Sequence, residues 1–530
     1  MATVSSKSIN VRSTAMVLIA LAAFIVAERL WAYRKPIQRD VSIYAVIGHE
    51  LLGGRPLYSD LLELRPPAVL VTYAIGEALV GYGRHTLLVL YVTATISTLL
   101  GVYYAASAGE GGATAGLWAA AFWAVFAGNY GLEAGEPNTE VFMNACLTWA
   151  FGLWVRADET SQRLQRSLAI GALFALASLY KHMVVVCPLL LGIVHVAFPP
   201  AAEPGGRRRG ALVDVAVVAA IGVGVWGLVT GYFAVTGRFE IFREILTGTS
   251  LDYAVGDYLL VVERPGAISV LWRNFFAPLR HEAEFVLDML TPLALLGGLG
   301  GVLGLFRDHR RWVFLLAFAV ATWFAIAAPG HFYGHYYQLW LPPFIIGAGW
   351  TIGILKSAAI ERRLNWLPQV VGAAVLALLI WQQLPFYWMN AAGDWRPIES
   401  PETMAAEPLA RELDGLLAPG ETFYEWGGNP SLYFYNQRRA PSGILMVWWF
   451  LEGRLSAQLS AQVVADLERT QPELLVVEKK MWPENPADQR VSAWLAERYG
   501  PLSEDNERGP FALYLRRGGS LEARLRATLK

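Results

Sequence analysis

The stretch RDVSIYAVIGHELLGGRPLYSDLLELRPPAVL, Arg39 to Leu70, gathers acids, bases and hydroxyls just after the first long apolar run of a chain that otherwise avoids charge. Asp40, Tyr44, His49, Glu50, Asp60, Glu63 and Arg65 all fall within it. A second group, EAGEPNTE, supplies Glu133, Glu136, Asn138 and Glu140, and Lys181 with His182 ends a later apolar run. A fourth, HFYGHYYQLWLPP from His331 to Pro343, contributes His335 and Tyr336. A carboxylate set back from bulk water can take the proton of a hydroxyl once geometry brings the two within hydrogen-bond reach. Arg holds a phosphate through two parallel bonds and Lys as a point charge, so Arg65 and Lys181 at the headgroup layer suit a lipid phosphate. Base plus phosphate clamp is the equipment for group transfer from a lipid-linked donor.

The elements that must position these residues are membrane spans. The chain has 530 residues, of which 55% are hydrophobic and 16% charged, with net charge −1 and mean hydropathy +0.37. That composition belongs in a bilayer, and a charge so near zero gives no reason to expect nucleic acid. Cys146 and Cys187 both lie in apolar runs and read as small core residues rather than a disulfide. The N-terminal apolar stretch is long and lacks a clear cleavage site, so it reads as an uncleaved first span.

Runs of spanning length occur at about 14–33, 85–106, 113–130, 139–155, 167–180, 183–199, 211–235, 283–306, 312–329, 338–355 and 366–387. Parity decides the run at about 67–82. Lys7 and Arg12, then Arg156, Arg163 and Arg166, share the cytoplasmic side only if that run does not cross. PPAVLVTYAIGEALVGYG is therefore expected on the outer surface as a juxtamembrane helix. About eleven spans result, with the N-terminus inside and the C-terminus outside. The first external loop, 34–84, breaks the usual charge bias with Arg34, Lys35, Arg39, Arg55 and Arg65. On this topology four loops distant in sequence converge on one pocket at the outer leaflet. Beyond about residue 390, short alternating strands such as TFYEW and ELLVVE alternate with helical patterns such as SAQVVADLERT and ADQRVSAWLAERYG. The expected organisation is thus a mainly α polytopic membrane domain, 1–390, followed by a small α/β external domain, 391–530.

The motifs resemble those of the GT-C glycosyltransferases, specifically glycosyltransferase family 39, which includes the protein O-mannosyltransferases and the lipid A aminoarabinose transferase. Asp40 and Tyr44 match an acid-x-x-x-Tyr helix after the first span. Arg65, Pro66 and Pro67 match a basic-Pro-Pro motif, Lys181 a Lys at the outer end of a span, and His335, Tyr336, Tyr337, Pro342 and Pro343 a His-Tyr-Tyr…Pro-Pro pattern. NTEVF, from Asn138 to Phe142, takes the place of the second external loop. The chain departs from the pattern in carrying Val41 after Asp40, Arg at 65 and Asn at 138.

The resemblance implies a GT-C-like bundle acting as an inverting transferase. A monosaccharide would move from a polyprenyl-phosphate-linked donor to a lipid, glycan or protein acceptor at the outer face of a bacterial-type inner membrane. Asp40 would be the base, and Arg65 and Lys181 the donor-phosphate ligands. Tyr44, Glu63, Glu136, Asn138, Glu140, His182, His335 and Tyr336 would be substrate-binding candidates. No cofactor is implied, and a divalent metal held by Asp40 with Glu136 or Glu140 has no fixed spacing behind it.

Plainer readings stand beside these. Asp40 can cap a helix starting near Ser42, Arg65 can anchor to any anionic headgroup, and Lys181 can snorkel. His335 can belong to an interfacial aromatic belt, Glu136 and Glu140 can be solvated, and Glu63 can pair structurally with Arg65. Asp252 and Asp257 read as solvated charge, and Glu425, Asn429, Tyr433 and Arg438 as a structural turn at Gly427 and Gly428. Rival functions are a transporter or flippase of a lipid-linked sugar, and an oligosaccharide ligase or polymerase.

Overall fold

In hydrocarbon every backbone N–H and C=O must be satisfied within its own segment, so the apolar runs are obliged to fold as helices. The computed structural model describes residues 11–158, 162–200, 207–255, 267–276, 283–451 and 454–528. The helices run α1 Val11–Trp31, α2 Arg39–Leu52, α3 Ala68–Val80, α4 Arg84–Ala106, α5 Ala113–Phe126, α6 Thr139–Val155, α7 Arg163–Tyr180, α8 Val186–Ala197 and α9 Arg207–Val235. They continue with α10 Phe239–Glu244, α11 Ser250–Val255, α12 Ala267–Phe276, α13 Ala283–Gly304, α14 His309–Ala327, α15 Leu341–Glu361 and α16 Leu367–Ala392. Each apolar run coincides with one of these helices.

Among the described residues six helices are long and apolar enough to cross a membrane: Val11–Trp31, Arg84–Ala106, Arg207–Val235, His309–Ala327, Gly334–Ile360 and Leu367–Ala392. The chain is an integral membrane protein of mainly helical structure. Ala68–Val80, Ala113–Phe126, His182–Ala197 and Asp288–Gly304 are apolar but shorter. At about 1.5 Å per residue, the 13 residues of α3 fall well short of a hydrocarbon core of about 30 Å.

The chain packs as two compact units. One comprises Met1–Tyr33, Leu88–Tyr232 and Pro265–Trp388, the other Arg34–Leu87, Phe233–Arg264 and Met389–Lys530. In the first, aromatic stacking and buried polar bonds join the helices. Phe151 stacks on Phe318 with centroids 4.8 Å apart, Trp350 Nε1 donates to the Ala106 carbonyl at 3.0 Å, and Thr351 Oγ1 donates to the Leu296 carbonyl at 2.8 Å. Asp214 of α9 collects Arg163 Nε at 2.8 Å, Ser167 Oγ at 2.7 Å and His195 Nε2 at 3.0 Å, tying three helices together.

The second unit is built on a sheet of order β1-β2-β5-β3, with β4 on β5. The strands are β1 Phe423–Trp426, β2 Leu474–Glu478, β3 Tyr499–Pro501, β4 Glu507–Arg508 and β5 Phe511–Arg516. β1 and β2 are parallel, with Phe423 opposite Leu474, and every residue of both is buried. Both faces of these two strands are covered, so the alternation seen in the sequence does not mark an open face, and Glu425 and Glu478 are buried with the rest. α17 Pro401–Leu416, α18 Ser431–Asn436, α19 Trp448–Leu451, α20 Ser456–Thr470, α21 Arg490–Arg498 and α22 Ser520–Thr528 surround or follow them.

The segment Arg34–Leu87 belongs to this second unit. Arg55 Nη1 donates to the Ala440 carbonyl at 3.0 Å, the Ala440 N–H donates to Glu50 Oε1 at 3.1 Å, and the Leu62 N–H donates to the Gly443 carbonyl at 3.0 Å. Four of the cations that break the charge bias are paired within the unit: Lys35 with Glu399 at 2.8 Å, Arg39 with Glu478 at 3.3 Å, Arg55 with Asp60 at 2.7 Å and Arg65 with Asp40 at 2.7 Å. Asp252 is not solvated charge, because both its oxygens accept from Arg454, at 2.9 and 3.0 Å. Asp257 lies outside the described residues.

Candidate active site

The second unit brings Asp40, Tyr44, Glu63 and Arg65 together. α2 begins at Arg39 with Gln38 at its N-cap, so Asp40 lies inside the first turn. Its carboxylate turns sideways, where Oδ2 accepts from Arg65 Nη2 at 2.7 Å. The capping role is therefore not the one Asp40 fills. One turn along α2, the buried Tyr44 ring lies under the Arg65 guanidinium, centroid 4.9 Å away. That spacing is why acid and tyrosine stand four residues apart on one face. α3 braces α2 from behind: Tyr44 meets Tyr73 edge-on at 5.7 Å. A Cβ on Gly48 would come within 3.0 Å of both the Tyr73 Cβ and the Ala74 nitrogen.

Arg65 is held from three directions. Nη1 donates to Glu63 Oε1 at 2.8 Å, Nη2 reaches Asp40, and the Tyr58 hydroxyl donates to the Arg65 carbonyl at 2.8 Å. Pro66 and Pro67 then lead into α3, since proline at a helix entrance gives up an N–H that would have no partner. Exposure separates the two acids. The Glu63 side chain is 0% exposed and that of Asp40 31%. Burial pushes the Glu63 carboxyl above the usual glutamate range, with Arg65 opposing. Glu63 thus serves as the buried counter-charge that fixes the guanidinium, while Asp40 stays reachable.

The first unit holds a second cluster. Lys181, C-cap of α7, places Nζ 2.5 Å from Glu140 Oε1 and 3.4 Å from the Tyr336 ring centroid. It pairs inside the protein instead of snorkelling. The Glu140 side chain is 0% exposed, and its Oε2 accepts from Thr139 Oγ1 at 2.8 Å, so it is not a solvated charge. His335 Nδ1 lies 2.8 Å from Glu133 Oε2, and its ring meets Tyr336 edge-on at 4.7 Å and stacks on Tyr333 at 5.8 Å. Asn144 Nδ2 donates to the Gln338 carbonyl at 2.9 Å, locking α6 to the Gly334–Trp340 turn.

Asn138 is the N-cap of α6 yet makes no capping bond, and among the described residues neither side-chain amide atom has a hydrogen-bond partner. His182 Nδ1 is likewise buried without one. Glu136 is buried, within electrostatic reach of Arg29. Among the described residues no group of three or more His, Cys, Asp and Glu is arranged to hold a metal ion. Asp40 and the acids once paired with it for that role fall in different units.

In the sheet of the second unit the turn reading of FYEWGGNPSLYFYNQRR fits. Asn429 Nδ2 donates to the Glu402 carbonyl at 3.0 Å, the Glu425 N–H donates to the Tyr433 hydroxyl at 2.9 Å, and Arg438 donates to the carbonyls of Ala418, Glu421 and Leu417. Glu425 is a buried acid whose carboxyl is pushed up to about 8, by burial first and then by Glu478.

Sequence reasoning passed over the neighbouring pair Glu28 and Arg29, buried inside α1. The signal was there, because ionisable residues inside a spanning helix are costly and mark a use.

No family model matches the sequence, and no curated protein matches it. Solved structures do. ArnT from Cupriavidus metallidurans bound to undecaprenyl phosphate superposes with a TM-score of 0.60 at 15% identity, over 97% of this chain and 99% of that one. Its apo state gives the same TM-score and identity over 94% and 97%. The archaeal oligosaccharyltransferase AglB from Archaeoglobus fulgidus, in complex with an inhibitory peptide and a dolichol-phosphate, superposes with a TM-score of 0.52 at 12% identity, over 95% of this chain and 74% of that one. The chain therefore shares the fold of these solved structures.

Proposed function

We propose that this protein is an inverting membrane glycosyltransferase that moves a monosaccharide from a polyprenyl-phosphate-linked donor to an acceptor hydroxyl at the outer face of the membrane. The topology proposed with it has about eleven spans, a cytoplasmic N-terminus and an external α/β domain from about residue 391. The observation that carries the reading is the partly open Asp40 carboxylate bonded to Arg65 of the Arg-Pro-Pro motif, in a chain that shares its fold with ArnT over nearly the whole length of both.

The chemistry follows from these groups. The acceptor oxygen bonds to the anomeric carbon as the anomeric C–O bond to phosphate breaks, and Asp40 takes the hydroxyl proton. The leaving polyprenyl phosphate gains one negative charge, which a cation such as Arg65 or Lys181 stabilises through charge-assisted hydrogen bonds, so no acid need protonate it. Glu63 and Tyr44 keep Arg65 in place, and Glu140 and Tyr336 do the same for Lys181. Asn138, His182, His335 and Glu136 are the side chains left to meet sugar or acceptor.

The test is the fate of a radiolabelled polyprenyl-phosphate sugar in membranes that contain the protein and in matched membranes that lack it. Label should pass to an acceptor, with release of polyprenyl phosphate, only in the former. Label translocated intact across the bilayer would replace the transferase with a flippase.

A further inference from the structure

We infer that Arg29, buried in the last turn of the first spanning helix, is a positioning residue that fixes the turn carrying Glu133, Glu136 and Asn138; the inference rests on and deepens the reading of the site given above. An Arg–Glu pair inside a span carries a desolvation cost that a spanning helix built only to cross the bilayer would not meet. Here both side chains are nearly inaccessible, at 5% for Arg29 and 3% for Glu28. Arg29 Nη1 donates to the Gly135 carbonyl at 2.8 Å. Glu28 Oε2 lies 3.4 Å from Arg29 Nη2, and its other oxygen accepts from the Tyr387 hydroxyl at 3.0 Å. The guanidinium is sandwiched between the Tyr91 and Phe386 rings, 5.3 and 5.6 Å from their centroids. Such a cation has one orientation available.

The turn is shaped to receive it. A Cβ on Gly135 would overlap Arg29 Nη1, and a Cβ on Gly128 would overlap the Glu28 carboxylate. Two glycines thus bracket the segment from 128 to 135, and the ion pair fills the space their side chains would need. Inside it the Ala134 N–H donates to the Asn129 carbonyl at 2.9 Å, and Glu133 adopts a left-handed φ of 49°. That conformation is costly for a residue with a Cβ and persists only where the surroundings impose it. Its product is the delivery of Glu133 Oε2 to His335 at 2.8 Å. Arg29 touches none of the reacting atoms and acts through the Gly135 carbonyl.

The experiment uses the full purified chain carrying Arg29→Met, Gly135→Ala or both, with transfer from a polyprenyl-phosphate-linked sugar as one readout. The second readout is maleimide labelling of a cysteine introduced as Ala134→Cys, a site now 1% exposed. Either single change should lower kcat about 10²-fold, the scale of a misplaced site group, with donor KM unchanged. The double change should lower it no further, because both remove one contact. Labelling at 134 should rise with the loss of Arg29, while the native Cys146 and Cys187 stay buried. Losses that multiply in the double variant, or a folded Arg29→Met protein with unaltered kcat and a protected cysteine, overturn the proposal. If the wild-type protein transfers no sugar, the transferase reading fails by itself, and the labelling still decides whether Arg29 holds the turn.

Discussion

Replacing Arg65 with alanine strips the partner from a carboxylate that has no exposed surface. Glu63 is 0% exposed, and its contact with Arg65 Nη1 at 2.8 Å is its one ion pair among the described residues. Removing one partner of a buried pair costs about 3–5 kcal/mol, because the remaining charge is left uncompensated. The bond between Arg65 and Asp40 is worth far less, since Asp40 is 31% exposed and pairs of that kind contribute about 1 kcal/mol or less. Arg65→Ala should therefore destabilise the second unit by several kcal/mol, nearly all of it through Glu63. The cost should grow with pH. Burial already pushes the Glu63 carboxyl up; without Arg65 the folded state prefers the protonated acid, and stability falls as pH rises through its titration. Adding Glu63→Gln should recover about 2 kcal/mol or more and abolish the pH dependence, while leaving donor binding weak. Thermal unfolding in detergent at about pH 5 and pH 8, with donor binding measured alongside, separates the two effects. A double variant no more stable than Arg65→Ala alone would refute the argument.

Lys181→Met should be costly for the same reason, about 3–5 kcal/mol through the buried Glu140, and Lys181→Met with Glu140→Gln should regain stability without regaining transfer. Glu425 gives a pH signature in the sheet of the second unit. An acid whose folded pKa is raised stabilises at low pH, and that contribution disappears between the ordinary glutamate value of about 4.3 and the folded value of about 8. Unfolding midpoints of the wild type should fall across that window, and those of Glu425→Gln should not. Gly48→Val should cost about 1–3 kcal/mol by forcing α2 off Tyr73 and Ala74, seen as a lowered midpoint together with weakened donor binding.

The helices were legible because hydrocarbon leaves an apolar run only one way to satisfy its backbone, and the short strands because brief alternating runs rich in β-branched and aromatic residues stand between helical patterns; that their Glu425 and Glu478 are buried was not legible. Asp40, Tyr44 and Arg65 were legible too: two share a helix face by spacing, and a proline pair marks the third. What stayed hidden is pairing across long separations. Arg29 meets the Gly135 carbonyl 106 residues away and Arg39 meets Glu478 439 residues away. Periodicity tells which face of a helix is buried but nothing of what it is buried against. For the same reason Asp252 read as solvated although Arg454 holds it, and a capping role stood as the plainer alternative for Asp40, since a first-turn acid looks the same in sequence whether it bonds its own helix or a distant arginine.

The central claim is that Asp40 takes the acceptor proton. Asp40→Asn keeps shape and polarity and, by the exposure argument, should change stability by about 1 kcal/mol or less. Its effect on the transfer step is therefore cleanly readable in a single-turnover measurement with donor bound at saturation. The account predicts a transfer rate lower by about 10²–10⁴-fold with donor affinity retained. A folded Asp40→Asn protein that binds donor and transfers sugar at the wild-type rate would contradict it.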